Sequence, residues 1–101
     1  MLVVSDNYGS CPSQPSIVWT GSQYGISWHE SRLDIATSRI FFTRLNETGE
    51  KQGEDIKISE TAVSEDSSIT WSGQEFGLVW RRGGPGSKIY FVRLDAKGKK
   101  Q

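Results

Sequence analysis

The chain has 101 residues, with 12 basic side chains against 12 acidic ones, a single His and a single Cys. That length corresponds to about one small domain, and the balanced charge provides no global field for nucleic acid or an anionic membrane. A lone Cys excludes an intrachain disulfide, and with only one His beside it the chain cannot furnish a structural zinc site of its own.

Residues 1–6, "MLVVSD", read as a short extended segment. They lack the basic flank and long apolar core of a leader peptide, and no apolar run anywhere is long enough to span a bilayer. Residues 16–28, "SIVWTGSQYGISW", follow. "SIVWT" is β-branched and aromatic, "GSQ" turns the chain, and "YGISW" returns, so the stretch predicts a strand, a hairpin turn and a strand. The two-residue period puts Tyr24, Ile26 and Trp28 on one face and Gly25 and Ser27 on the other. Residues 28–34, "WHESRLD", are the most charged stretch and read as a solvated loop. "RIFFTRL" is a third strand with Ile40 and Phe42 on one face and Phe41 and Leu45 on the other, so both faces are apolar. "NETGE" predicts a turn with Gly49 at positive φ. "DIKIS", residues 55–59, predicts a fourth, polar edge strand.

The pattern then starts again. Residues 68–80, "SITWSGQEFGLVW", repeat residues 16–28 at an offset of 52, with Trp19/Trp71, Gly21/Gly73, Gly25/Gly77 and Trp28/Trp80 in register. "IYFVRLDAKGKKQ" repeats "IFFTRLNETGEKQ" at an offset of 49, so the length difference falls in "HESRLDIATSR" against "RRGGPGSK", as expected of a connection. No strand like "DIKIS" follows the second repeat within this sequence, whereas "MLVVSD" precedes the first as "DIKISE" precedes the second. The expected arrangement is therefore two four-stranded antiparallel units in a permuted frame. Unit one covers about residues 16–60 and unit two about residues 67–101, completed by the strand at 1–6 of the same or a neighbouring chain.

Sheets that are apolar on both faces need cover on both. Two stacked sheets leave two outer faces wet, and monomers rarely expose apolar patches of that size. Because the repeats are alike, the two ends are complementary, and head-to-tail contact of like units closes into a ring or runs on as a filament. Self-similarity with a period near fifty residues belongs to propellers and solenoids. The pattern P-S-[IV]-x-W-[TS]-G-x-x-[YF]-G-x-x-W followed by I-[FY]-F-x-R-L-[DN]-x-x-G, carried by residues 15–28 with 40–49 and, from Ser67 onward, by 67–80 with 89–98, resembles the repeat of a bacterial β-propeller group with blades of roughly fifty residues. The resemblance implies an all-β fold of two blades per chain. Closure by homo-oligomerisation would follow, a six-bladed trimer being favoured over a dimer or tetramer.

Candidate chemistry is sparse. Glu30 and Asp34 could ligate a cation, or Glu30 with Arg32 a polar ligand, while Arg81 and Arg82 could receive phosphate or carboxylate. His29 has the chemistry of a general base, but no nucleophile is fixed near it by spacing. "GGPG" lacks the G-K-[ST] ending of a phosphate loop, so no cofactor is expected, and no metal. "NET" at residues 46–48 matches a glycosylation sequon. The four tryptophans suit stacking on carbohydrate, but their equivalent positions in the two repeats favour packing between units. An acidic first unit and a basic second one suit head-to-tail pairing. The expectation is a non-catalytic binding module for carbohydrate or a small polar ligand, or alternatively a scaffold assembly with no small-molecule ligand; the partner is the chain itself, with neither nucleic acid nor membrane.

Overall fold

Every regular element is a strand among the residues described by the computed structural model, 1–5, 9–32, 37–59 and 63–101. Strands β1 (Cys11–Trp19), β2 (Gln23–Arg32), β3 (Thr37–Asn46) and β4 (Ile56–Lys57) form one antiparallel sheet in chain order; β5 (Ser64–Trp71), β6 (Phe76–Arg82) and β7 (Lys88–Leu94) form a second.

The turns are built alike in the two repeats. Thr20 N and Ser72 N donate to Gln23 O and Glu75 O, both at 2.9 Å, and Gly21 and Gly73 both sit at φ 105°. A two-residue loop with a leading Gly matches the twist of the strands it joins, and a side chain there would be strained. The Thr20 and Ser72 hydroxyls accept from the amides of Gln23 and Glu75, at 3.1 and 3.0 Å. β1 and β5 also share a bulge. The register slips between Ser13 and Ser16 and between Glu65 and Ser68, with Gln14 and Asp66 both at φ 56°. Such a bulge inserts one unpaired residue and bends the strand.

Alternation along the strands gives each sheet a front and a back. The front of the first sheet carries Tyr24, Ile26, Trp28, Phe41 and Leu45; its back carries Gly25, Ser27, His29, Ile40 and Phe42. The front of the second sheet (Phe76, Leu78, Trp80) packs on the back of the first, and Ile40, Phe42, Ile58, Ile69, Phe76, Leu78, Trp80 and Leu94 make the main core. Phe42 and Phe76 meet edge to face at 5.0 Å. Truncating either ring costs about 3–5 kcal/mol by the usual range for buried aromatics. Ile69 N donates to Ser16 Oγ at 3.3 Å, and Ser67 Oγ donates to Ser27 Oγ at 3.0 Å between the sheets.

Three expectations change. "WHESR" is strand, not loop: β2 runs to Arg32 because Cys11, Pro12 and Ser13 pair with Ser31, Glu30 and His29. "DIKIS" pairs as strand only over Ile56–Lys57, with Ile58 N adding one bond to Ile40 O at 2.7 Å. The second sheet has three strands, and residues 1–5 lie on the front of the first sheet, where Val4 packs beside Ile26, Trp28 and Leu45.

Candidate functional site

The sequence-predicted residues scatter. Alternation along β2 sends His29 to the back and Glu30 to the front, so adjacent residues end up on opposite sides of one sheet. His29 is buried between the sheets, and its Nδ1 accepts from Asp66 N at 3.3 Å. Glu30 is buried on the front, where its carboxylate accepts from Ser5 Oγ, from Ser10 Oγ at 3.5 Å and from Trp28 Nε1 at 3.1 Å. Burial of a carboxylate is tolerated only with such donors. Arg32 is exposed at the end of β2, and Asp34 lies outside the described residues. Arg81 lies near the end of β6, beside the bulge of β5, with Nε 3.3 Å from Asp66 Oδ2 and a second nitrogen 3.6 Å from Glu65 Oε1. Arg82 is half-buried on the front side of β6.

Arg81, Asp66 and His29 are thus brought together, but through each other. Arg81 pairs with the Asp66 carboxylate within the second sheet, and only the Asp66 backbone amide reaches His29 across the sheet junction. Among the described residues no three His, Cys, Asp or Glu side chains are grouped to hold a metal ion. The carboxyls of Glu50 and Asp95 titrate below their ordinary range, and both belong to turns. Glu50 is lowered by hydrogen bonds from Asn46 and Thr48, and Asp95 chiefly by the Lys99 amide. Asn46, the sequon residue, spends its side chain in that turn, accepting from Thr48 N and Glu50 N at 3.0 and 2.9 Å.

One concave feature stands out. A cleft of about 380 Å³ opens on the front of the first sheet, lined by Val4, Ser5, Pro12, Pro15, Ile17 and Trp28 among others. At the matching place on the second sheet the space is filled by the first sheet's back, so Ile69 is 8% exposed where Ile17 is 60% exposed. The back faces show the same contrast: Ile40 and Phe42 are fully buried, while their equivalents Ile89 and Phe91 are 71% and 64% exposed. Internal aromatic pairs match closely despite this. Trp28 stacks on Phe41 at 6.0 Å and Trp80 on Tyr90 at 5.7 Å, and Trp19–Tyr24 and Trp71–Phe76 are 4.7 and 4.8 Å apart. The two sheets have the same internal packing and differ in what covers them.

Sequence reasoning placed Pro15 and Ser67 at the start of the repeat motif but missed Pro12 and the strand bulges beside which all three lie. The equal spacing of "CPSQPS" and "SEDSS" from the tryptophan blocks was the available signal. Comparison of the chain with family models, with curated proteins and with solved structures gives no match.

Proposed function

We propose that the chain is a non-catalytic self-assembly module: two blades of a β-propeller whose ring closes by head-to-tail addition of further copies. One observation carries the reading. The front of the second sheet sits on the back of the first, and at opposite ends of the stack the first front, partly covered by residues 1–5, leaves Ile17 and Trp19 exposed, while the second back leaves Val79, Ile89 and Phe91 exposed. Faces of that kind pair again in a second chain, because the residues that would meet are equivalent to those already packed. A non-catalytic role fits the site residues, since His29, Glu30 and Arg81 are engaged with the protein's own groups.

Propellers close with four to eight blades, and a trimer with six is the form we favour. Light scattering on the intact chain tests it: the expected mass is three times 11.3 kDa, and a compact monomer at micromolar concentration overturns the reading. A second reading, a carbohydrate or small polar ligand on the assembled ring, is favoured by Trp19, which is 46% exposed beside Tyr24. Sugars stack on such exposed aromatic faces. Absence of binding at millimolar sugar with the assembly intact favours the scaffold role alone.

A further inference from the structure

We propose that residues 1–5 are the fourth strand of a second copy's β5–β6–β7 sheet, held ready on the front of the first sheet, and that Val79 of that copy against Pro15 specifies the seam. The proposal rests on the self-assembly reading and names the contacts that would carry it.

Within the chain, β4 and the two residues after it show what a fourth strand does. Ile58 N donates to Ile40 O at 2.7 Å, Ser59 Oγ accepts from Ile40 N at 2.9 Å, and Ile58 O accepts from Lys100 Nζ at 2.6 Å. Ile58 belongs to the core with Leu78, Trp80 and Leu94 of the following sheet. The pair Val4-Ser5 stands to the first sheet as Ile58-Ser59 stands to the second. Val4 packs with Ile26, Trp28 and Leu45, the equivalents of those three residues. Its carbonyl accepts from Lys51 Nζ at 2.9 Å, and Lys51 is the equivalent of Lys100. Residues 1–5 are therefore placed like the last strand of a preceding sheet. The strand that belongs beside them, in the relation of β3 to Ile58, is β7 of another copy. In that register Ile89 O receives Val4 N, and Ile89 N donates to Ser5 Oγ. The Ser5 hydroxyl already donates its proton to Glu30, which leaves its lone pairs to accept.

The side chains across the new seam differ from those inside the chain in a way that selects partners. Ser27 and Ser67 satisfy each other in the internal junction, both buried. Their equivalents are Val79, exposed on the second back, and Pro15, which lines the cleft. A first front on a second back joins apolar Pro15 to apolar Val79. A second front on a second back would bury the Ser67 hydroxyl against Val79, and a first front on a first back would bury Ser27 against Pro15. Either error strands a hydroxyl, which is costly in a dry interface. Phe91 leans over Gly77 in the single chain, its ring 3.3 Å from where a Cβ would stand. On docking, Tyr24 of the neighbour takes that place, as Phe76 does over Gly25, and Phe91 moves to the position that Phe42 holds in the first sheet.

Sedimentation velocity on the full chain and its variants tests this. Val79→Ser should weaken self-association by about tenfold or more, the effect of one stranded hydroxyl, and Val79→Ser with Pro15→Ser should recover it by rebuilding the serine pair. In a Cys11→Ser background, Val4→Cys with Ile89→Cys should give disulfide-linked multimers under mild oxidation, whereas Val4→Cys with Val92→Cys should not. Wild-type assembly that is indifferent to Val79→Ser, or a double-cysteine variant that forms no crosslink between positions 4 and 89, overturns the seam and leaves self-assembly standing. A wild-type chain that never associates overturns both.

Discussion

Phe76 presses the edge of its ring onto the bare Cα of Gly25, so closely that a Cβ on residue 25 would overlap the ring. The neighbours of that contact are Phe42 and Trp71, 5.0 and 4.8 Å from Phe76. A methyl group at residue 25 must therefore displace a ring that is itself wedged. Gly25→Ala is expected to destabilise by about 1–3 kcal/mol, the usual range for overpacking. At Gly77 an added Cβ meets only side-chain atoms of Phe91 and Thr70, both at 3.3 Å and on an open face. Gly77→Ala should be nearly neutral for folding. Urea unfolding of both variants checks the contrast, and equal effects would contradict the account of the sheet junction.

Thr43 is buried on the front of β3, and among the described residues its hydroxyl has no partner. The equivalent residue of the second repeat is Val92. Thr43→Val keeps the shape and removes a hydroxyl stranded out of water, so it should stabilise by about 1 kcal/mol. A higher midpoint with unchanged denaturant slope is the expected result; a lower midpoint would mean that the hydroxyl is satisfied in solution.

Trp28 Nε1 donates to Glu30, but the equivalent Trp80 Nε1 is buried without an acceptor among the described residues. The cause is local: Arg82 stands where the first repeat has Glu30, and a guanidinium only donates. Arg82→Gln restores an acceptor and should add about 1 kcal/mol of stability, together with a shift in the Trp80 indole N–H resonance. An unmoved resonance would show that the amide does not reach the ring.

Asp95 organises its turn by accepting from Lys97 N and Lys99 N, both at 2.9 Å. The Lys99 amide is the main reason its carboxyl titrates below the ordinary aspartate range, with the Lys97 amide and the two ammonium groups adding and partial burial opposing. A carboxyl whose folded value lies below its unfolded one contributes stability that is present above the unfolded value, about pH 4, and lost as the pH falls through the folded value. Asp95→Asn keeps the turn, as Asn46 does in the first repeat, and removes this contribution to acid sensitivity. Melting curves taken downward from about pH 5 should fall less steeply for the variant, and identical slopes would count against the turn as a source.

Much of the fold was legible from the spacing of a few residues. Gly21 and Gly73, with Gly49 and Gly98, mark turns in which φ is positive, and the alternation of Tyr24, Ile26 and Trp28 against Gly25 and Ser27 gave the faces. What misled was charge. "HES" looks like solvated loop because His and Glu are rarely buried, yet β1 pairs with it through "CPS", a stretch whose prolines disguise a strand. Pro12 and Pro15 are tolerated there because β1 is an edge strand with a bulge. The partners of His29 and Glu30 were not legible either. Asp66 reaches His29 only because two sheets stack, and Ser5 reaches Glu30 only because residues 1–5 fold back over the front. Contacts made by stacking leave no periodic trace along the chain.

The paired hydroxyls of Ser27 and Ser67 sit in the junction between the two sheets, and in the proposed seam between copies the same two positions would hold Val79 and Pro15. Junctions marked alternately in this way would make the proposed assembly count in twos. An odd unit spliced into the gene would meet one mismatched neighbour wherever it was placed, so lineages built on this pattern should lengthen by doublets.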